Sequence, residues 1–461
     1  MVLLLALYTL LIPGTPKDTL HVNLASAISY ALTVSPEIKQ LQQKVAYSHA
    51  RIAEARAHRL VPEFELSTAH APAPRLTPSS FPPEQLYLDP TLRNDWEHLT
   101  VFNQIQIKIG QPLYTWGEIH YSIQAATHGK AVDAADVAAK RLEVAHRTAQ
   151  LYANTLLTQA LLRLTRETGE IIDRAKKEIR RLLKEGDESV DDADLFQVLI
   201  VEQEYLAQVA EVEEQHQLAI TALRRQLDLP DSTLLQIDTR FLAPLTFPED
   251  SLQTFLNLGL QHRPELAKAS AGFAARDAQV RVARSDYYPK LFLGISGRLA
   301  YTPGRYYQPH PYIRDELTGR SLQAGLGFRQ KLNFGITRAR VKQAEAQREE
   351  VHYQKEAARL LILYQVEEAY RKLRIAKAYL KHRKEALRIS NEWLRTEEIN
   401  FDLALGDTEN LVRAVKANLD LQAKHYLAIH QYNLAVFNLL YAAGTLIEDI
   451  QSGRVTESIA R

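Results

Sequence analysis

Carboxylates that could bind a cation or form a charged surface are concentrated at two glycine-containing turns of this chain. The first turn holds Gly186, Asp187, Asp191, Asp192 and Asp194, and the second holds Asp402, Gly406, Asp407 and Glu409. Carboxylates this close together could hold a hard cation or form a locally negative surface. The first run lacks the glycine and the distal glutamate of an EF-hand loop. Solvated acids at helix turns therefore remain the simpler interpretation of each group.

Other kinds of site have no support in the residues. The 15 histidines show no HExxH pattern and no His/carboxylate spacing of a metal site. The chain has no cysteine, no glycine-rich phosphate loop and no GxSxG elbow, and its net charge of +1 gives no basic footprint for nucleic acid. We therefore expect no catalytic residues, no cofactor, no metal and no nucleic-acid partner, and the chain is not expected to be an enzyme.

Two very long helices must position the acidic turns. Residues 117 to about 184 contain no proline, and residues 336 to about 401 contain neither proline nor glycine. At about 1.5 Å per residue each helix would be about 100 Å long. Residues stepping alternately by three and four form one seam in each helix: Ala138, Leu142, Ala145, Ala149, Tyr152 and Leu156, then Val366, Ala369, Leu373, Ala376 and Leu380. This spacing predicts two antiparallel coiled-coil hairpins, whose return helices cover about 194–228 and 410–443.

Four alternating segments predict β-strands, and the two sets of alternating side chains differ in polarity. Apolar positions include Ile105, Ile107, Ile109, Leu293, Ile295 and Leu326, whereas Gln104, Gln106, Lys108, Arg298 and Arg329 occupy positions of the opposite set. Each strand has about the 10 residues that cross a hydrocarbon core at a tilt. A sheet with one face packed on helices would show the same alternation. The proline-rich residues 71–100 predict a long exposed loop between the first two strands.

The chain is an internal duplication. Residues 24–66 are echoed at about 252–293, and residues 101–152 at about 321–370. After a candidate signal segment (1–20), the echo predicts helices (21–61), a β-hairpin (62–113) and a long helical hairpin (117–230). A linker with further helices (231–288), a second β-hairpin (289–333), a second helical hairpin (335–444) and a tail (445–461) complete it. Residues 2–12 form an apolar run that is too short for a transmembrane helix but matches the core of a secretory signal.

Four strands per chain have a consequence if they lie in a membrane. The two outer strands would expose unpaired backbone groups, each of which costs several kcal/mol in lipid. Because four strands are too few to close a barrel with a lumen, several copies of the chain would have to share one barrel. Aligned helical hairpins of the same copies would then continue the conduit.

The chain resembles the outer-membrane efflux protein family, the TolC-like channel-tunnels. The resemblance covers about residues 20–444 and includes the duplicated plan and a helix that ends before a strand at Pro62 and at Pro289. It also includes the Gln111–Gly117 segment, QPLYTWG, where family members have a Pro-Leu-aromatic…Gly junction between barrel and helix. The second copy, Lys331–Gly335, is one residue shorter and lacks the proline.

This resemblance implies a mainly α-helical fold with membrane β-structure. Long coiled-coil hairpins would form an α-barrel tunnel, and four strands per chain would contribute to a 12-stranded trimeric β-barrel. It also implies a homotrimer in the outer membrane of a Gram-negative-type bacterium, giving a passive exit duct for efflux or type I secretion. Its partners would be outer-membrane lipid, a periplasmic adaptor and an inner-membrane pump of the RND or ABC type.

The resemblance further places the periplasmic mouth at the two turns. Some family members carry two aspartates three residues apart shortly after the second turn, and matching Gly406 and Ala414 places Asn410 and Arg413 at those positions. The barrel residues divide into lipid-facing and lumen-facing sets by the alternation described above. The alternative function is a soluble periplasmic coiled-coil scaffold or adaptor with a small β domain. In that protein Ile105, Ile107, Leu293 and Leu326 would be buried against helices rather than form one outward apolar belt.

Overall fold

The computed structural model describes residues 19–78, 91–186, 190–239, 241–248, 250–305, 314–403 and 408–457. Within these ranges the chain is mainly helical with a few strands. The elements are, in chain order, β1 (Thr19–Val22), α1 (Leu24–Val34), α2 (Pro36–Leu60), β2 (Glu63–Leu76), β3 (Asn94–Tyr114), α3 (Glu118–Glu185), α4 (Asp192–Gln226), β4 (Leu234–Ile237), β5 (Leu245–Thr246), α5 (Leu252–His262), α6 (Pro264–Ser285), β6 (Lys290–Tyr301), β7 (Gly319–Arg329), α7 (Phe334–Asp402), α8 (Thr408–Ala443), α9 (Leu446–Gln451) and β8 (Thr456–Glu457). The predicted signal run, residues 2–12, lies outside the described residues.

The duplication is visible in the short helices that open each half. Helices α1 and α5 both have 11 residues, and each begins after a side-chain N-cap, Asn23 or Ser251. A single residue then separates each helix from a proline, Pro36 or Pro264, that starts the next one. Proline suits this position because the first turn of a helix needs no backbone N–H from it.

The long helices fold back on their partners as antiparallel hairpins. Thr158 and His216 approach to 3.0 Å between α3 and α4, and Asn418 donates to Asn391 over 2.6 Å between α8 and α7. Helix α3 contains 68 residues and α7 contains 69. The return helices α4 and α8 each begin two residues before the predicted bounds of about 194 and 410. For α4 the start is set by Asp191, which caps the helix.

Contacts divide the chain into two units. One comprises residues up to Gln42, Ala135–Ala267 and Glu356 onward, and the other comprises Gln43–Ala134 and Lys268–Lys355. The first unit contains the main apolar core, which includes most of both predicted seams. Residues of the first seam that are buried there are Leu142, Ala145, Ala149, Tyr152 and Leu156, and those of the second are Val366, Ala369 and Leu373. Ala138, also assigned to the first seam, is exposed, and Ala376 and Leu380 are partly buried against the core.

The second unit contains a four-stranded antiparallel sheet in the order β2-β3-β6-β7. Its first two strands are longer than predicted. Residues 71–76 and 94–100 pair as strands, so the predicted loop of residues 71–100 was wrong at both ends. The error came from Pro72 and Pro74, which lie opposite Val101 and Leu99. An edge strand accepts prolines spaced by two residues, because their missing N–H groups point away from the neighbouring strand.

No helix among the described residues is both long enough and apolar enough to cross a membrane.

Candidate channel surfaces: a two-faced sheet and the helix turns

The strand register collects the predicted apolar side chains on one face of the sheet. Ile109 lies opposite Ile295, and Leu293 lies opposite Leu326. Because alternate residues of a strand share a face, Ile105 and Ile107 lie on that face too. Other large side chains of the same face are Phe64, Leu66, Leu299, Leu322 and Phe328. Two strands from each repeat therefore build one apolar surface.

Several large side chains of this apolar surface are exposed in the part of the chain that the structure describes. Leu326 is 71% exposed, Ile107 is 46% exposed and Ile105 is 45% exposed. Leu293, Ile295 and Ile109, which lie in the central strands, are partly buried. An apolar belt of this kind is unfavourable in water and marks a surface that contacts lipid or protein. It contradicts the burial against helices that a scaffold protein requires.

The opposite face of the sheet is polar. Gln106 lies opposite Arg298, and Lys108 lies opposite Ser296 and Glu65. Arg298 donates to the side chain of Gln104 over 2.8 Å, and Lys108 lies 3.8 Å from a Glu65 carboxylate oxygen. All five predicted polar residues, including Arg329 at the end of β7, share this face.

Aromatic side chains stand where the sheet meets the helices. The Trp116 ring stacks on Tyr288 at 4.8 Å and meets Tyr114 edge-on at 5.1 Å. Its Nε1 donates to the Pro289 carbonyl over 2.7 Å, which links the two repeats. Tyrosine and tryptophan are the side chains that favour a membrane–water interface, since they combine an apolar ring with a polar tip.

A charged cluster lies at the same end of the sheet. Asp286 in the turn before β6 lies 3.0 Å from Lys290 and 3.4 Å from Lys331, and Lys290 also lies 2.7 Å from Glu118. Burial alone would raise the pKa of Asp286, but these ammonium groups outweigh it and the pKa is lowered. Asp286 therefore stays ionised, and the pair of Lys290 with Glu118 ties the start of β6 to the start of α3.

At the first helix turn the acids cap a helix. Gly186 adopts φ +72° after the end of α3, and Asp191 and Asp194 exchange side-chain-to-backbone hydrogen bonds of 3.0 and 3.1 Å at the start of α4. Asp192 adds a negative charge to the first turn of α4, where the helix dipole favours it. Asp187 lies outside the described residues.

At the second turn the structure describes fewer of the predicted residues. Glu409 pairs with Arg413 at 2.8 Å, one turn apart on α8, and Asn410 is exposed between them. Gly406 and Asp407 lie outside the described residues, and the side chain of Asp402 is not described. Among the described residues, no group of acids and histidines could hold a metal ion.

Two exposed apolar stripes were missed by the sequence reasoning. On α7, Ile375, Tyr379, Ile389 and Trp393 are 57%, 56%, 54% and 39% exposed, and Leu360 and Tyr364 continue their line. They lie on one side of the helix, away from the seam that faces α8. On α4, Phe196, Ile200 and Leu218 form a similar stripe and are 62%, 61% and 69% exposed. Heptad spacing was the available signal on α7, but the predicted seam there comprises only the stripe of Val366 and Leu373, and no seam is predicted on α4.

Comparison with known proteins identifies the chain type. The family model described as "Outer membrane efflux protein" matches residues 27–227 and 255–445. Protein CyaE of Bordetella pertussis is 26% identical over 438 residues, covering 94% of this chain and 86% of CyaE. Among solved structures, the outer membrane protein VceC of Vibrio cholerae has a TM-score of 0.71 at 17% identity, covering 91% of this chain and 96% of VceC. The CmeC outer membrane channel of Campylobacter jejuni has a TM-score of 0.69 at 14% identity, covering 94% of this chain and 89% of CmeC. This chain therefore belongs to the outer membrane efflux protein family, and it is an outer-membrane channel subunit that provides an exit duct for efflux or type I secretion.

Proposed function

We propose that three copies of this chain assemble into one duct, with their sheets closed into a 12-stranded barrel in the outer membrane and their helical hairpins forming the periplasmic tunnel. The observation that carries this proposal is the sheet itself. It has an exposed apolar face, a polar face and two edge strands, β2 and β7, within the described residues. In lipid such edges are tolerable only if they pair, and joining β7 of one copy to β2 of the next satisfies both.

The exposed stripes of the helices support the same head-to-tail ring. Contacts order the helices as α4, α3, α8 and α7: Thr158 meets His216, His146 meets Asn438 at 2.7 Å, and Asn391 meets Asn418. The large exposed apolar side chains of this set concentrate on α4 and α7, the two ends of the series. A copy rotated about an axis along the hairpins would bring its α7 stripe against the α4 stripe of its neighbour. Such an interface uses two different surfaces and closes into a ring.

The same contacts give the heights at which residues of neighbouring copies should meet. Rotation about the axis leaves height unchanged, so heights within one copy apply between copies. Extrapolated from the contacts of α4 with α3, α3 with α8 and α8 with α7, these heights predict that Ala210 of one copy lies near Ile389 of the next, and Ala207 near Trp393. Small residues opposite large ones allow close packing of helices.

In this assembly the predicted residues of the sheet and of the helix turns have three different surroundings: lipid, the lumen and the periplasmic mouth. Ile105, Ile107, Ile109, Leu293, Ile295 and Leu326 face lipid, and Gln104, Gln106, Lys108, Arg298 and Arg329 face the lumen. The two helix turns form the periplasmic mouth and contact a periplasmic adaptor, which joins the duct to an inner-membrane pump of the RND or ABC type. The mouth candidates are Gly186, Asp187, Asp191, Asp192, Asp194, Asp402, Gly406, Asp407, Glu409, Asn410 and Arg413. Transport through the subunit is passive and involves no catalytic step.

Cysteine cross-linking tests the ring, because the chain has no cysteine of its own. The double variant Ala210→Cys/Ile389→Cys, purified from membranes in detergent and oxidised, should give covalent trimers on a denaturing gel. Either single variant is the matched control and should stay monomeric there. The wild-type protein should also conduct ions across a planar bilayer. Cross-linking that never proceeds beyond monomers, or purified protein without conductance, would contradict the proposed assembly.

A further inference from the structure

The polar face of the sheet carries its charge unevenly. Within residues 63–69, 104–110, 290–300 and 321–329 of the four strands, the ionisable residues of this face are Glu63, Glu65, Lys108, Lys290, Arg298 and Arg329, so cations outnumber carboxylates there. Arg75 and Asp95 lie opposite each other beyond the register shift of β2 and β3. Lys108 is matched by Glu65, and Lys290 is held by Asp286 and Glu118. Glu63, Arg298 and Arg329 remain, so the excess of positive charge on this part of the face comes from the two arginines.

Neutral groups hold both arginines in place. Arg298 donates to Gln104 over 2.8 Å and to the backbone carbonyl of Glu316 over 2.5 Å. The Arg329 guanidinium lies 5.4 Å from the centre of the Phe292 ring. Phe292 itself covers Gly327, where an added Cβ would lie 2.7 Å from the ring. Among the described contacts neither guanidinium meets a carboxylate, so their charge is oriented but not neutralised.

The two arginines stand at opposite ends of the face. Arg329 lies opposite Lys290 at the helix end of the sheet, and Arg298 lies eight residues further along β6. At about 3.3 Å per residue they are separated by about 25 Å along the strand. Between them β6 and β7 present Phe292, Gly294, Ser296, Gln323, Gly325 and Gly327, which are all uncharged. In a closed ring of copies each arginine would become a ring of positive charge.

We propose that these two arginine rings make the exit selective for anions, so that the solutes suited to this duct carry net negative charge. The inference rests on the proposed function, because the polar face selects solutes only if it lines a lumen. Rings of like charge in a low-dielectric wall concentrate counter-ions and exclude ions of the same sign. Arginine keeps its charge at every physiological pH, so the preference does not depend on titration.

Reversal potentials test the inference directly. Wild-type trimers in a planar bilayer with a KCl gradient should show a chloride permeability above that of potassium. Replacing both arginines (Arg298→Gln and Arg329→Gln) should lower the chloride-to-potassium ratio about threefold or more, since each ring contributes a potential of the order of kT. Measurement at about 0.1 M salt keeps the Debye length near 10 Å.

Two controls separate charge from structure. Arg320 lies opposite Leu299 on the apolar face of the same sheet, so Arg320→Gln removes the same charge from the wrong side and should leave selectivity unchanged. The charge-preserving variants Arg298→Lys and Arg329→Lys should keep the anion preference, even if their hydrogen bonds change.

The outcomes distinguish the inference from the proposed function. A cation preference in the wild type, or an effect of Arg320→Gln as large as that of Arg298→Gln, would overturn the inference and leave the duct in place. Protein that never conducts would overturn both. Anion preference that is lost with Gln and kept with Lys would establish it.

Discussion

The two repeats of this chain build the same elements, but they join strand to helix in different ways. In the first repeat Trp116 and Gly117 both adopt left-handed conformations, with φ of 52° and 85°, and α3 starts only after them. In the second repeat their counterparts Phe334 and Gly335 already belong to α7. Strand β3 also has a register irregularity between Pro112 and Tyr114 before the junction. The difference shows that a repeated sequence word need not be a repeated backbone conformation.

The repeats also differ in how their short helices are tied to the long ones. In the first, Glu37 accepts from Arg147 over 2.8 Å, and both side chains are about two-fifths exposed, at 43% and 40%. The alignment that places Tyr152 opposite Tyr370 puts Gln365 opposite Arg147. In the second repeat Gln365 instead accepts from Arg263, whose side chain is 5% exposed. In the first repeat the long helix therefore supplies the arginine, whereas in the second repeat the arginine precedes the short helix α6 and is buried.

The largest contrast between the repeats should follow from removing these cations. Arg263 also donates to the Tyr441 carbonyl over 3.1 Å and lies 3.0 Å from Glu265, an ion pair without the alignment of a hydrogen bond. Arg263→Ala should lower the free energy of unfolding by about 3 kcal/mol, because it leaves buried polar partners behind. The control Arg147→Ala should cost about 1 kcal/mol or less, since solvent screens that pair. Urea unfolding followed by circular dichroism measures both, and equal costs would contradict the contrast.

In the sheet, by contrast, the repeats should behave alike. Ile107→Arg in the first repeat and Leu293→Arg in the second each place a charge on the shared apolar face. Each should cost about 2–4 kcal/mol of folding free energy in a bilayer and reduce the yield of trimers. Gln106→Arg, which lies on the polar face, is the matched control and should assemble normally. If Leu293→Arg also assembled normally, the two hairpins would not share one lipid-facing surface.

The junction glycines provide a smaller but opposite pair of effects. Gly117→Ala should destabilise the protein by about 1–2 kcal/mol, the cost of a side chain in the left-handed region. The added Cβ would also lie 2.6 Å from the Tyr121 ring, which would have to move. Gly335→Ala meets nothing within 4 Å in α7 and should be neutral or stabilising by up to about 1 kcal/mol. Thermal unfolding midpoints report the signs, and a loss of stability in Gly335→Ala would mean that the two junctions are alike after all.

The smallest effect concerns a histidine that occurs in one repeat only. His146 stacks on Tyr441 at 4.4 Å, and burial lowers its pKa, although a hydrogen bond to Asn438 opposes the shift. Its counterpart in the second repeat is the exposed Tyr364. Because the folded pKa lies below the unfolded value of about 6.5, the neutral form stabilises the fold, and this stability declines as the pH drops below about 6.5.

His146→Gln should therefore lose less stability than the wild type between about pH 7 and pH 5. Above about pH 8 the difference between the two proteins should be constant, because the imidazole is then neutral in both states. Parallel stability curves down to pH 5 would contradict the assigned role of His146.

The alternation of residues made the sheet largely predictable. Period-two patterning assigned Ile105, Ile107, Leu293 and Leu326 to one face, and the register bears this out. The strand ends were not predictable in the same way, since Pro72 and Pro74 signal a loop unless their position on an edge strand is known. The acids near the first turn were equally ambiguous, and only the backbone showed that Asp191 and Asp194 cap α4.

The duplication, the helix lengths and the polarity of each strand face were predictable because they depend on local spacing and on side-chain type. Two heptad stripes on α7 satisfy the same periodicity, and the packing of α7 against α8 is what distinguishes the buried stripe from the exposed one. The tertiary structure also decided that the Trp116–Gly117 and Phe334–Gly335 words adopt different conformations. Trp116 contacts Tyr288 and Pro289, which lie in the other repeat, and the first word also has an extra residue and a proline.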